Sequence, residues 1–476
     1  MSMKTYPVYL NGELTITEKT YEVTNPAKGD VLARMSTVDR AAVSQAVQHA
    51  HTAFHTWRNL TGKNRGELLL QVAAEVHRRR DEIARMITLE NGKPLSQSEG
   101  EVGMTVDHLT WFAEEARRAY GRMVPNQVEG KRHLVFKTPI GVVGAISPWN
   151  FPLVLAVRKI APALAAGCTV ILKPASKTPL CASLFAECVD AVKMPKGVFQ
   201  LVAGSAAEIG KEFLENSLCR KITFTGSTEV GKNLIEGAAK QVKPLSLELG
   251  GHAPVLVFED ADLENAVEGT MLAKFRNTGQ SCIAANRIYV QHSIYEPFLK
   301  RLVEKARALQ VGDGLDPRSQ IGALIDGEAV AKAVEHVEDA IRGGARLLCG
   351  GQRLPGPGNF FEPTVLADVP SGALCMREET FAPIAPVSAF ETEAEAIERA
   401  NNSPYGLSAY AFTRDLGRMF RLAENLEAGI IGINDGLPTT SQAPFGGVKQ
   451  SGWGRELGIE GMDAFLETKH VSIGIS

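Results

Sequence analysis

In PIGVVGAISPWNFPLVLAVRKIAPALAAGCTVILKPASKTPL, residues 139–180, the β-branched run VVGAI gives way to a helix-like stretch over 152–166 and then to a second β-branched run, TVILK. Strand, helix, strand in this order is the unit of a parallel sheet, because parallel neighbours need a crossover long enough to hold a helix. Downstream, VFQLV and KITFT repeat the pattern, with helix-like stretches at 179–193, 206–216 and 228–241. A second series follows: PVLVF, a helix from Leu263, RIYVQ, a helix from Tyr295, a helix near 328–343, then RLLCG, PIAPVSAF and GIIGIN. The sequence therefore predicts two α/β lobes, one after the other. Upstream, helical periodicity over 39–56, 63–92 and 95–119 predicts a first quarter that is mostly helix. KRHLVFKTPI and the late AFLETKHVSIGI alternate polar and apolar residues like exposed strands, which pair with each other or with a partner subunit.

The rest of the 476-residue chain narrows the function classes. Fifty-one basic against 54 acidic side chains leave a net charge of -3, which gives no field to gather a nucleic acid or a membrane surface, so a small-molecule ligand is expected. The first residues carry no basic segment followed by an apolar run, and the longest uncharged apolar stretch, Ile160 to Leu172, is interrupted by Pro162 and Gly167. Neither export nor membrane insertion is expected. The seven cysteines are odd in number and form no CxxC, which predicts reduced thiols in a cytoplasmic protein.

Several segments carry chemistry. FTGSTEVGKN follows the P-loop spacing from Gly226 to Lys232, but Asn233 stands where a magnesium-binding hydroxyl is needed. What remains is a strand, a glycine turn and a helix start, where Ser227 and Thr228 can hold a phosphate or simply cap the helix. No GxGxxG follows an early strand. His51 and His55 share a helical face at zinc-ligand spacing without an acidic or cysteine partner, so no metal site is expected. Cys282 lies in FRNTGQSCIAANR, too polar for a core position, and reads as an accessible thiol that needs a base nearby. Glu248, between Leu247 and Leu249 in LSLELGGHAP, is either an exposed edge carboxylate or an acid of raised pKa. The two glycines after it allow another chain or a ligand to approach closely. In SPWNFP two prolines bracket Asn150, which is a plain turn or a fixed amide aimed at an anionic oxygen.

Taken together and in order, SPWNFP, LKPASKTP, FTGSTEVG, LELGGHAP, FRNTGQSC, EETFAP and APFGGVKQSG resemble the NAD(P)-dependent aldehyde dehydrogenase superfamily over essentially the whole chain. The resemblance implies an α/β fold of two Rossmann-like lobes with a β-hairpin oligomerisation extension. It implies a cofactor-binding domain from 1–119 and 141–250, a catalytic domain from 251–450 and an extension from 120–140 and 451–476, in a homodimer or homotetramer. It also implies that Cys282 attacks the aldehyde, that Asn150 and the Cys282 N–H hold the oxyanion, that Glu248 activates the hydrolytic water, and that Lys159 assists proton movement. For the cofactor, NADP or NAD, it implies contacts from Ile146, Pro148, Trp149, Lys173, Gly226, Ser227, Glu379 and Phe381. Ser176 stands where NAD-strict members carry a Glu, so with Lys173 and Lys177 alongside, NADP is expected to be accepted and even preferred.

KPASKTP, SLELGGHAP, KFRNTGQSC and APFGGVKQSGWGRE further resemble the succinate-semialdehyde dehydrogenases. This implies that Arg158 and Arg276 bind the far carboxylate of an aldehyde with an anionic tail, aided by a hydroxyl from Thr439, Thr440 or Ser441. Glutarate, 2-oxoglutarate and phosphonoacetaldehyde semialdehyde types, a general aldehyde, and a non-catalytic role of the fold remain as alternatives. Ala284 takes the place of a second cysteine found in some of these enzymes, so a disulfide switch at the nucleophile is not expected.

Overall fold

A computed structural model describes residues 3–475. The βαβ series of residues 139–248 builds a sheet of eight strands. Its centre is five parallel strands in the spatial order Leu245–Glu248, Cys219–Thr225, Val142–Ile146, Thr169–Lys173 and Phe199–Leu201. Antiparallel strands close both edges, Gly452–Trp453 on one side and Val8–Leu10 with Glu13–Thr15 on the other. The second series builds a seven-stranded sheet, parallel except for its edge strand Arg346–Cys349. Strands buried on both faces read as unbroken apolar runs, and Thr169–Lys173, Ala253–Val257 and Ser408–Phe412 are buried at every position.

The helix Val154–Ala166 packs on Val142–Ile146 and Thr169–Lys173 of the first sheet and against the helices Gly62–Arg78 and Leu95–Glu115, with every residue buried, Arg158 and Lys159 included. Pro162 lies inside it and removes the N–H that would have bonded the Arg158 carbonyl. The first quarter is helical from Arg40 onward, but the stretch read as one helix over 63–92 is two, Gly62–Arg78 and Arg80–Asn91, with Arg79 out of helical geometry between them. Five short strands before Arg40 went unread; among them, Thr20–Thr24 pairs antiparallel with Val31–Ser36. Runs of two to six residues are too short to display a period. The two orphan strands pair with each other: Lys131–Pro139 runs antiparallel to Leu466–Gly474 over its full length, with Arg122–Val124 on its other side. Among the described residues no helix is long and apolar enough to cross a membrane.

Candidate active site

Of the five parallel strands of the first sheet, Val142–Ile146 comes first in the chain, and its successors lie on opposite sides of it, Thr169–Lys173 on one and Cys219–Thr225 on the other. Open α/β sheets bind ligands in the crevice that such a reversal leaves at the carboxyl ends of the strands. Ile146 ends its strand in register with Lys173 and with Phe224, so Ile146, Pro148, Trp149, Lys173, Gly226 and Ser227 meet at that edge. Burial alone holds the Lys173 ammonium down to about 8, with no charged group offsetting it. Among the described residues it has no ion-pair partner, and a buried cation so placed suits a ligand's oxygen. Ser227 caps the helix Thr228–Ala239 by accepting from the Val230 N–H at 3.3 Å. Ser176 is exposed, and Lys177 is ion-paired with Asp326. Lys177 thus shares its charge with Asp326, whereas Lys173 has no ion-pair partner among the described residues.

Across the crevice, the Trp149 and Phe381 rings meet edge to face at 5.5 Å. Phe381 takes φ 52°, a left-handed conformation costly for an aromatic residue, so its place is held by its surroundings. Glu379 Oε1 accepts the Gly251 N–H at 3.0 Å, and burial raises its carboxyl to about 7. A side chain at Gly251 would put its Cβ 2.2 Å from the Cys282 carbonyl oxygen, so the second glycine after Glu248 admits the chain that carries the thiol. The first sheet's strand end, the thiol loop and Glu379 are thereby tied together.

Cys282 follows a tight turn in which Asn277 and Thr278 both take positive φ. Its thiol is pushed up to about 12, chiefly by burial and then by the charge of Glu379, with Arg158 opposing. At neutral pH it is protonated, so attack requires a proton acceptor. Asn150 is buried beside this loop, and its side-chain amide donates to the Gln280 carbonyl at 3.1 Å.

Glu248 ends the strand Leu245–Glu248, is buried, and has Oε2 without a hydrogen-bond partner. Burial first, then Glu456, push its pKa well above the carboxylate range, while Lys159, Arg455 and Arg158 pull it down. The edge reading is therefore excluded. Lys159 Nζ donates to Thr225 Oγ1 at 2.5 Å and is ion-paired with Glu456, whose Oε2 also lacks a partner. Glu456 was missed from sequence because a lone acid in GWGRELG looks like a surface charge. The signal was the fully buried helix, whose Lys159 has to be answered by an acid.

Cys282, Arg158, Arg276 and Thr439 line one pocket of about 360 Å³, walled by Phe151, Leu155, Ile283 and Phe445. The Arg158 guanidinium lies 4.5 Å from the Phe445 ring centre and its Nε has no hydrogen-bond partner. Arg276 lies 5.0 Å from the Phe151 ring centre and touches the Met104 sulfur at 3.8 Å. Neither arginine has a carboxylate within ion-pair distance among the described residues. Thr439 Oγ1 is buried and unpartnered, whereas Thr440 is exposed and bonds Gln442, and Ser441 bonds Asp107. Of the three hydroxyls, only that of Thr439 is both at the pocket and free.

A fold of this kind, with a half-buried thiol at the meeting of two α/β lobes, belongs to a known class. The chain matches the aldehyde dehydrogenase family over residues 15–471 and belongs to it. It is 48% identical over 454 residues to the succinate-semialdehyde dehydrogenase [NADP(+)] of Escherichia coli K12, covering 95% of this chain and 94% of that one. It is 47% identical over 469 residues to the glutarate-semialdehyde dehydrogenase of Pseudomonas putida KT2440, covering 98% and 97%. The crystal structure of succinate-semialdehyde dehydrogenase from Burkholderia pseudomallei superposes with a TM-score of 0.98 at 41% identity, over 99% of this chain and 98% of that one. The protein is accordingly an aldehyde-oxidising enzyme.

Proposed function

We propose that the chain oxidises succinate semialdehyde to succinate with a nicotinamide dinucleotide, NADP being accepted. The observation that carries the substrate is that the buried Arg158 and the half-buried Arg276 line the pocket of Cys282 with no carboxylate in ion-pair reach among the described residues. An unpaired buried guanidinium is costly to fold around, and an anionic ligand removes that cost. The similarity to succinate- and glutarate-semialdehyde dehydrogenases supports a short acid aldehyde. Thr439 adds a hydroxyl to the wall of the same pocket.

The half-exposed Cys282 thiol gives its proton to solvent water as its sulfur adds to the aldehyde carbon, and the oxygen that becomes negative is held by the Asn150 amide and the Cys282 N–H. Loss of the carbon's hydride to the dinucleotide would leave a thioester on Cys282. Lys173, Ser227, Glu379 and Phe381 would hold the dinucleotide, whose nicotinamide supplies the hydride acceptor when bound. Glu248 then takes a proton from the water that attacks the thioester, releasing the acid and the thiol. Lys159 and Glu456 behind it relay that proton away from the pocket. In this reading 1–119 with 141–250 binds the dinucleotide and 251–450 carries the thiol. The strands Arg122–Val124, Lys131–Pro139 and Leu466–Gly474 form an assembly arm, in accord with the exposed Met123, Phe136 and Ile473 on it.

Initial rates of cofactor reduction with succinate semialdehyde and with butanal, each with NAD and with NADP, test the reading. A large advantage for the acid is expected. Equal rates would reduce the protein to a general aldehyde dehydrogenase, and an absolute demand for NAD would remove the Lys173 and Ser176 argument.

A further inference from the structure

We infer that Lys93, joined to Glu101, is a positioning residue that holds Asn150 in place for the oxyanion and fixes the start of the helix carrying Arg158 and Lys159. Lys93 and Glu101 form an ion pair at 2.8 Å with both side chains fully removed from solvent. An ammonium has three N–H donors, and each direction here is used. One meets Glu101, one the Asn150 backbone carbonyl at 2.7 Å, and the third side faces the Phe151 ring, with Nζ 4.0 Å from its centre. Asn277 Nδ2 donates to the same Asn150 carbonyl at 2.8 Å, while the Asn150 side chain reaches the Gln280 carbonyl at 3.1 Å. The backbone of Asn150 is thus clamped from one side, and its amide lies along the segment that leads to Cys282.

Glu101 uses its other oxygen on the helix. Oε1 accepts the N–H of Leu153 at 2.9 Å and of Val154 at 3.2 Å. The helix Val154–Ala166 has no cap from its own preceding side chain, so an acid from the helix Leu95–Glu115 does that work. One buried pair therefore sets both the oxyanion donor and the register of the two cations on that helix. Packing alone does not require it, since an apolar pair of the same volume fills such a space at lower desolvation cost. Asn91 adds a parallel strut, donating from Nδ2 to the Trp149 carbonyl at 2.9 Å.

The inference rests on the reading of Asn150 given above, and the test separates the two. Stopped-flow bursts of reduced cofactor with succinate semialdehyde and NADP are compared for the parent chain, Lys93→Met, Lys93→Arg, Asn150→Ala and Asn150→Ala with Lys93→Met. Cys282 alkylation by iodoacetamide without cofactor and the melting temperature are read alongside. Lys93→Met is expected to slow the burst tenfold or more, with KM for the aldehyde changed less than threefold and alkylation unchanged. Lys93→Arg is expected to recover part of the rate. Added to Asn150→Ala, Lys93→Met should cost little more, because the two act as one unit. If Lys93→Met does not fold, the pair Lys93→Met with Glu101→Gln and the single Lys93→Arg carry the same comparison. A burst within twofold of the parent, or a full further loss on top of Asn150→Ala, overturns the inference. A normal burst in Asn150→Ala alone overturns the reading of Asn150 instead.

Discussion

Arg158 and Lys159 follow one another on a helix in which every residue is buried, yet only one of the two charges is answered inside the protein. Lys159 has Glu456 and Thr225; Arg158 has the face of Phe445 and a bare Nε. One helical step turns Lys159 toward the first sheet and Glu248, and Arg158 toward the pocket of Cys282. The difference separates two uses of a buried cation. A charge that the fold neutralises serves chemistry within the protein, and a charge that it leaves open waits for a ligand.

The largest effect is expected where the answered network meets the reaction. Glu248→Gln should lower steady-state turnover on the order of 10²–10⁴-fold, the range of a lost general base, while a single burst of reduced cofactor persists. Rapid-mixing kinetics read both quantities together. Loss of the burst as well as the turnover would place Glu248 at the activation of Cys282 instead of at hydrolysis.

Lys159→Met and Arg158→Met test the contrast directly through stability. Lys159→Met strands Glu456 in a buried site and should cost about 3–5 kcal/mol, whereas Arg158→Met removes an unpaired charge and should be neutral or stabilising. Urea titrations of the two variants decide it, and equal losses would break the comparison. Lys159 also holds the Glu248 carboxyl down against burial and Glu456. The rising acid limb of the activity profile follows Glu248 losing its proton, so in Lys159→Met that limb should move to higher pH.

A smaller and more selective change is expected from Arg158→Ala and Arg276→Ala. Each lost charged hydrogen bond, about 1.5–3 kcal/mol, should lower kcat/KM for succinate semialdehyde roughly 10–100-fold. Butanal, without the second charge, should change less than threefold. A parallel loss on both aldehydes would mean that the arginines shape the pocket and do not read the carboxylate.

Some of this site was visible in the letters and some was not, for a physical reason. Cys282 sits in a polar segment out of keeping with a core, which marks it without reference to anything distant. Glu248 between two leucines and Asn150 between two prolines read locally as an edge carboxylate and a turn just as well, and only the ordered set of motifs singles them out. Glu456, Lys93 and Glu101 carry no such mark, since each looks like an ordinary surface charge until its partner is known. Lys159 and Glu456 lie 297 positions apart. The hydroxyl loop shows the same limit: Thr439, Thr440 and Ser441 are equivalent as letters and differ only once Gln442 and Asp107 have taken two of them. Most of the parallel strands were legible as short β-branched runs, although Thr364–Ala367 and Ser408–Phe412 were not read. The short strands at Thr5–Tyr6 and Val8–Leu10 owe their existence to neighbours that the local sequence does not contain.

Glu379 carries the smallest effect and the finest version of the contrast, because it is a charge whose answer depends on pH. Burial raises its carboxyl from the ordinary 4.5 to about 7, against the pull of the Gly251 N–H, Lys332 and Lys274. Between those two values the folded chain keeps a proton that the unfolded chain has lost. Stability from this group is therefore complete below pH 4.5, falls as the pH rises through that window, and levels off above 7. Glu379→Gln has no proton to lose, so its urea midpoint should change less between pH 5 and pH 8 than that of the parent. The carboxyl is only partly shielded at its surface, so the difference should be on the order of 1 kcal/mol. Identical pH dependence in the two chains would show Glu379 ionised throughout, a carboxylate already answered by Lys332 and Gly251 and so on the same footing as Glu456 beside Lys159.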